Sequence, residues 1–346
     1  MFRPYLLGVL SALTLVLVPQ FPAYKNIVLA QSTPAAGSAE RERGIALYRQ
    51  GRHSQAVTAL KTAVKKDKSD YQAWRVLGLA QIQIDDLKGA AKSMQNVVKL
   101  KPDLAAGHIG LSYTSLLRSK LPEAMREARL VLDLDPNLPE AHYLIGVISI
   151  RTGNKEEALK EAEATIKLDP KFSAAYLLKS QALASFLGYA LISDAKETTE
   201  ERRAGYLEAA AALEKYLELE PNAEDRQTWL AQIESLRFYS VSHLEDAGPD
   251  RIYSGKQVTA KARVTGKPEP VYTEAARRRG ITGTVVLRCI FAADGTVKHF
   301  LIISALPYGL TEQAIAAAQR IKFIPAMLDA KPVSMFIQLE YNFNLY

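Results

Sequence analysis

From residue 39 to residue 237, apolar side chains recur every three or four positions in paired blocks broken by short polar turns, the spacing of amphipathic helices. One unit begins at Tyr71. Its first block carries Trp74, Leu77 and Gly78, its second Ala90, Met94 and Val97, and Pro102 closes it. The marks return at an interval of 34 residues as Leu111, Ala124, Ala128, Val131 and Pro136, then as Ile145, Gly146, Ala158, Ala162 and Pro170. A proline cannot continue a helix, so each is expected to end the second helix of a pair. The small residues Gly78, Ala90, Ala124 and Ala158 are expected where helix backbones approach closely. An earlier unit holds Gly44, Ala56, Leu60 and Ala63, with Lys68 at the proline position. A later one is out of step: Ala209, Leu213 and Pro221 arrive 17 residues late, after SFLGYALISDAKETTEERRAGY. This insertion predicts two longer helices and a longer loop. Asn222 to Arg237 then reads as a closing helix, with Trp229, Ile233 and Leu236 on one face.

Beyond Val264 the period changes. Tyr272, Ala275 and Ala276 mark a short helix ending at Gly280. Thr284 to Ala292 alternates, with Val285, Leu287, Cys289 and Phe291 on one face. Asp294-Gly295 predicts a hairpin turn, and Val297 to Ser304 returns with Phe300 and Ile302 apolar. Thr311 is expected to cap a helix running through Arg320, with Ala314, Ile315 and Ala318 on its apolar face and Pro325 beyond it. Pro332 to Tyr346 reads as a final strand.

The 34-residue unit is similar to the tetratricopeptide repeat, which implies a solenoid of antiparallel helix pairs that binds proteins. Residues 264–346 resemble the C-terminal domain of the TonB family. The likeness rests on Pro270-Val271-Tyr272 with Ala275, Gly280-Ile281-x-Gly283-x-Val285, Asp294-Gly295-x-Val297, Ser304, Ala314, Ala318, Phe323-x-Pro325-Ala326 and Lys331-Pro332-Val333. Thr273 stands where that family often has proline. The expected fold class is α+β multidomain: a helical tetratricopeptide solenoid, then a small domain with a three-stranded antiparallel sheet and helices. The expected organisation is an export segment over 1–30, a linker over 31–38, an array of about five repeats with its closing helix over 39–237, a linker over 238–263, and the TonB-like domain over 264–346.

Arg3, the apolar run from Tyr5 to Val18, and Val28-Leu29-Ala30 before Gln31 read as a secretory signal, with an uncleaved anchor as the alternative. Either route exports the chain, so a periplasmic location is expected, with inner-membrane anchorage if the segment stays. The formal charge of +7 is concentrated in residues 255–346, which hold 12 Lys/Arg against 6 Asp/Glu. Arg277, Arg278 and Arg279 are its densest cluster and read first as a solvated helix face. No nucleic-acid-reading motif accompanies them, so no nucleic-acid partner is expected. Cys289 is the single cysteine and reads as strand core.

No catalytic residue, metal or cofactor is expected. His108 and His142 occupy the position of Trp74 in successive repeats and read as structural fillers. Two binding surfaces are expected instead. The TonB resemblance implies that the last strand pairs with an extended segment of an outer-membrane transporter, over Ser334, Met335, Phe336, Ile337, Gln338, Leu339 and Glu340. By repeat register, the solenoid's groove is expected to present Arg75, Leu79, Tyr113, Leu116, Tyr143, Val147 and Arg151, beside Gln72, Ile82, Ile109 and Ile150. The partners expected are envelope proteins or peptides, a second copy being another candidate for the strand. The function expected is a periplasmic adaptor; the alternative is a TonB-type energy transducer.

Overall fold

The computed structural model describes residues 39–190, 199–223, 225–241 and 251–345. The chain divides into two compact units. Among described residues, one holds the segment up to Pro221 together with Leu236–Val241. The other holds Asn222–Ser235 and everything from Arg251 onward.

In the first unit, helices α1 (Ala39–Arg49) and α2 (His53–Lys66) form the opening pair, followed by α3 (Tyr71–Gln83) with α4 (Leu87–Leu100). The next pairs are α5 (Ala105–Leu117) with α6 (Leu121–Leu134), and α7 (Pro139–Arg151) with α8 (Lys155–Leu168). Then come α9 (Ser173–Ala190) and α10 (Thr199–Leu219), 18 and 21 residues long where their predecessors have 11 to 14, as the insertion predicts. The loop expected within that insertion lies outside the described residues. Helix α11 (Arg226–Tyr239) closes this stretch and contributes residues to both units.

The first four pairs turn by the same device. Gly51, Asp85, Ser119 and Gly153 recur at the repeat interval with φ of 75°, 63°, 57° and 84°. The amide after each reaches back to a carbonyl of the helix just ended: Arg52 to Leu47 at 2.9 Å, Asp86 to Gln81 at 2.8 Å, Lys120 to Ser115 at 2.8 Å and Asn154 to Ser149 at 2.9 Å. This left-handed closure satisfies carbonyls a helix end leaves open. Between repeats, the carboxylates of Asp67, Asp135 and Asp169 accept from the amides of Ser69, Asn137 and Lys171 at 2.8, 3.0 and 2.9 Å, reversing the chain by Asx turns.

The small residues are where helices touch. Ala56, Ala90, Ala124 and Ala158 are fully buried, and a Cβ at Gly78 would lie 2.7 Å from the Met94 methyl. From the second pair to the fifth, a second device ties the first helix to the turn before it. Trp74 donates from Nε1 to the Lys68 carbonyl at 3.0 Å, and the Tyr176 hydroxyl donates to the Pro170 carbonyl at 3.1 Å. His108 and His142 make the same contact through Nε2, with the carbonyls of Pro102 and Pro136 at 2.8 and 3.1 Å. Their other ring nitrogens meet Glu127 at 2.8 Å and Glu161 at 2.6 Å.

The second unit contains β1 (Ile252–Tyr253), β2 (Arg263–Gly266), α12 (Glu274–Arg278), β3 (Gly283–Phe291) and β4 (Val297–Ser304). It continues with α13 (Leu310–Ala318), β5 (Lys322–Ile324), β6 (Ala326–Leu328) and β7 (Lys331–Phe343). The expected antiparallel strands β3, β4 and β7 are present, but the sheet has five strands and is mixed. Its order is β1-β7-β3-β4, with β6 also on β7 and β1 parallel to β7, while β2 and β5 pair separately. The two extra strands of this sheet escape the sequence pattern for physical reasons. β6 joins β7 through Asp329 and Ala330, whose φ of 49° and 64° make a tight turn without the glycine that would signal it. β1 has only two residues and lies in the stretch expected as linker.

Two further expectations are corrected. His299 adopts φ 51° where the β3–β4 register shifts, and Leu301, Ile302 and Ile303 are all buried while Phe300 is only half-buried, so Ile302 but not Phe300 is core as expected. Thr311 does not cap α13; Gly309, at φ 79°, stands at the cap position. The buried Thr311 hydroxyl closes the preceding turn by accepting from the Leu306 amide and donating to its carbonyl, both at 2.9 Å.

Candidate strand-binding edge

β7 pairs with β3 along its length, from Gly283 opposite Phe343 to Phe291 opposite Met335. Val285, Leu287, Cys289 and Phe291 are fully buried, as their alternation predicts. Along β7, Met335, Leu339, Tyr341 and Phe343 are buried; Ser334, Phe336 and Ile337 are half-buried; Gln338, Glu340 and Asn342 are exposed.

A sheet of this order has two flanks that another strand could reach, and they differ. On β4, the Ile302 amide donates to the Gln232 side-chain oxygen of α11 at 3.1 Å, and both residues are buried. A helix side chain thus takes a ladder donor that an incoming strand would need. On β7, the flank away from β3 is covered by β1 at Ser334 and Met335 only, and among described residues no strand pairs there from Phe336 to Phe343. The Glu340 carbonyl accepts from the Lys267 ammonium at 2.8 Å, and that ammonium also lies 4.5 Å from the centre of the Tyr341 ring. The residues after Lys267 include Pro268 and Pro270, which have no amide to offer a ladder.

The neighbouring turn is built around Thr273. Its hydroxyl accepts from the Ala276 amide at 3.2 Å and donates to the Tyr308 carbonyl at 2.7 Å, so the departure from proline supplies the cap of α12. Tyr272 donates to the Ile281 carbonyl and sets its ring edge-on to Phe343, with centroids 5.7 Å apart. The basic cluster is used locally. Arg277 lies over the Tyr272 ring, Arg278 donates to the Glu274 carbonyl at 3.3 Å, and Arg279 donates to the Tyr308 hydroxyl at 2.9 Å. Burial pushes the Tyr341 phenol up to about 12 and raises the Cys289 thiol far above its ordinary range, leaving a neutral, unreactive core thiol.

The residues expected to line the solenoid groove lie deeper than a contact surface. Arg75, Leu79, Tyr113, Leu116, Tyr143 and Val147 are buried, and Tyr143 packs on Phe172 with centroids 5.0 Å apart. Arg151 is half-buried and donates to the Leu116 carbonyl at 3.0 Å and the Ser119 hydroxyl at 3.2 Å, linking successive repeats. Ile82 and Ile150 are half-buried beside them. Among described residues no group of three His, Cys, Asp or Glu is placed to hold a metal ion.

Gln232, Lys267 and Ile252 shape the edge and went unnoticed in the sequence. Gln232 had a faint signal, a polar residue three positions after Trp229 on the apolar face of a helix. Lys267 and Ile252 had none.

Family models match both parts of the chain. Residues 268–345 match the model of the Gram-negative bacterial TonB protein C-terminal, and residues 41–105 and 139–172 match two tetratricopeptide repeat models. The chain is therefore a tetratricopeptide-repeat protein with a TonB-type C-terminal domain. Protein TonB of Vibrio cholerae is 35% identical over 89 residues, which are 25% of this chain and 36% of that protein, so the chain spans about a third of this relative. Similar solved structures include TTC0263, a thermophilic tetratricopeptide protein of Thermus thermophilus, at 20% identity and TM-score 0.44, covering 56% of this chain and 97% of that one. MamA 41-end from Desulfovibrio magneticus RS-1 is 19% identical with TM-score 0.43, covering 55% and 99%. Both domain types belong to classes that bind proteins.

Proposed function

We propose that this chain is an adaptor of the bacterial envelope that captures an extended protein segment by strand addition along β7. The observation that carries the reading is the asymmetry of the sheet's two flanks: Gln232 occupies a ladder donor of β4, whereas β7 has no strand beyond Met335 on its outer side among described residues. Backbone bonds along Phe336 to Glu340 supply affinity in such a mode, and the half-buried Phe336 and Ile337 supply side-chain selectivity. The array serves as the second contact surface, through its half-buried rim at Ile82, Ile150 and Arg151 and not through the buried Leu79, Leu116 and Val147. A periplasmic location rests on the TonB-type domain and the export-like N-terminus.

The test is capture from an envelope fraction by the full chain and by Gln338→Pro. Backbone groups alternate along a strand, so the Gln338 amide shares a flank with the Glu340 carbonyl that Lys267 reaches. Proline removes that donor and leaves the β3 ladder in place. Loss of the captured protein by a folded variant is expected, and undiminished capture rejects the edge. Recovery of the chain itself as the captured species would make the edge a dimer contact. The V. cholerae relative favours a second reading, a TonB-type transducer, which needs a membrane anchor. Among described residues no helix is long and apolar enough to cross a membrane. Sequencing the N-terminus of the protein isolated from cells separates the readings, since Gln31 as the first residue would leave no anchor.

A further inference from the structure

We infer that Arg251–Tyr253 is a built-in, detachable occupant of the β7 edge, whose place an external segment with an aliphatic side chain takes on binding. The inference deepens the proposed docking at β7 and rests on it. β1 pairs parallel to β7, with Ile252 opposite Ser334 and Tyr253 opposite Met335, and stops there. It stops because Ser254 turns away: its amide donates to the Gln257 side chain at 2.9 Å, and the Gln257 amide donates back to the Ser254 carbonyl at 3.0 Å. Two residues provide few ladder bonds. The attachment rests chiefly on Ile252, which is 4% exposed, while Tyr253 is half-buried beneath the Arg251 guanidinium at 4.9 Å. A longer strand entering in the same parallel sense would take over the Ile252 place and add the bonds β1 never makes beyond Met335. The geometry therefore specifies the partner's chemistry at that end as an extended segment with Val, Ile or Leu aligned opposite Ser334.

The experiment uses a fluorescent peptide copying residues 250–256, Asp-Arg-Ile-Tyr-Ser-Gly-Lys, added to the full-length chain and to Ile252→Asp and Ile252→Ala. Releasing the internal strand should tighten anisotropy-measured binding by about tenfold or more, the weight of one buried aliphatic anchor. A control peptide with Asp in place of Ile should not bind. Hydrogen exchange at Ser334 and Phe336, whose amides share the outer flank of Gln338, should quicken in the variants and slow again on adding the peptide. Ile252→Ala keeps the test open if the Asp variant does not fold. Equal affinity for wild type and both variants, or no binding to any form, overturns the inference. Intact envelope capture with no peptide binding would remove the occupant and leave the docking reading. Peptide binding without envelope capture would do the reverse.

Discussion

The contact recurring at Trp74, His108, His142 and Tyr176 permits a sharp test of how the array is held. In His108→Leu two bonds vanish: Nε2 to the Pro102 carbonyl and Nδ1 to Glu127, each 2.8 Å. A neutral bond contributes about 0.5–1.5 kcal/mol and one to a charged group about 1.5–3 kcal/mol. Glu127 retains 22% of its side-chain exposure and rehydrates in part, and the leucine recovers some apolar burial. The net loss expected is therefore about 2 kcal/mol. His108→Tyr should cost roughly half of that, because Tyr176 makes the same carbonyl contact at its equivalent position while the glutamate bond is forfeited. Urea unfolding of the full chain at neutral pH, followed by circular dichroism, ranks wild type above Tyr above Leu. Equal midpoints for the two variants, or a leucine variant as stable as wild type, would refute the repeated carbonyl latch.

Other outcomes follow from single residues. Gly153 has φ 84°, and nothing lies within 4 Å of the place a Cβ would take, so Gly153→Ala should lower stability by about 1 kcal/mol from backbone strain alone, and an unchanged urea midpoint would contradict this. Glu140 is buried, with one carboxylate oxygen lacking a hydrogen-bond partner; desolvation, then Asp169 and Asp135, raise its pKa. A raised folded-state value means that its charge costs stability as pH climbs above the unfolded carboxylate's range. Glu140→Gln should therefore stabilise the chain at pH 7 and change little at pH ~4, and a gain persisting undiminished into acid would be inconsistent. Cys289, buried with its thiol pushed up, should resist iodoacetamide until the chain unfolds, and rapid native labelling would disprove its burial.

The array was legible because every repeat carries its own local period. Small residues, apolar stripe and terminating proline each report a contact made within one helix pair, and Gly78 against Met94 shows why the small residue is there. The face of β3 that carries Val285, Leu287, Cys289 and Phe291 was legible through its period of two, while the burial of Val286 and Ile290 on its other face was not. What stayed hidden depends on single residues acting across the chain. At His299 the β3–β4 register shifts with a backbone angle that histidine does not advertise, and Asp329-Ala330 reverses the chain without glycine. At the site, the β7 stretch was readable, but which flank is open was not. That asymmetry rests on one glutamine in α11 and on a two-residue strand paired to positions about 80 residues away. Burial of Leu79, Leu116 and Val147 was equally unreadable, since first-helix register places a residue on a face without saying how deep that face lies.

The most direct test of strand capture is photo-cross-linking from the two edges of one sheet. The full chain would carry a benzophenone side chain either at Gln338 on β7 or at His299 on β4, and each form would be illuminated with an envelope fraction. Capture along β7 predicts a discrete adduct with an envelope protein from position 338, absent from position 299 and suppressed by excess unlabelled chain. Adducts of equal yield from both positions, or from 299 alone, would contradict it.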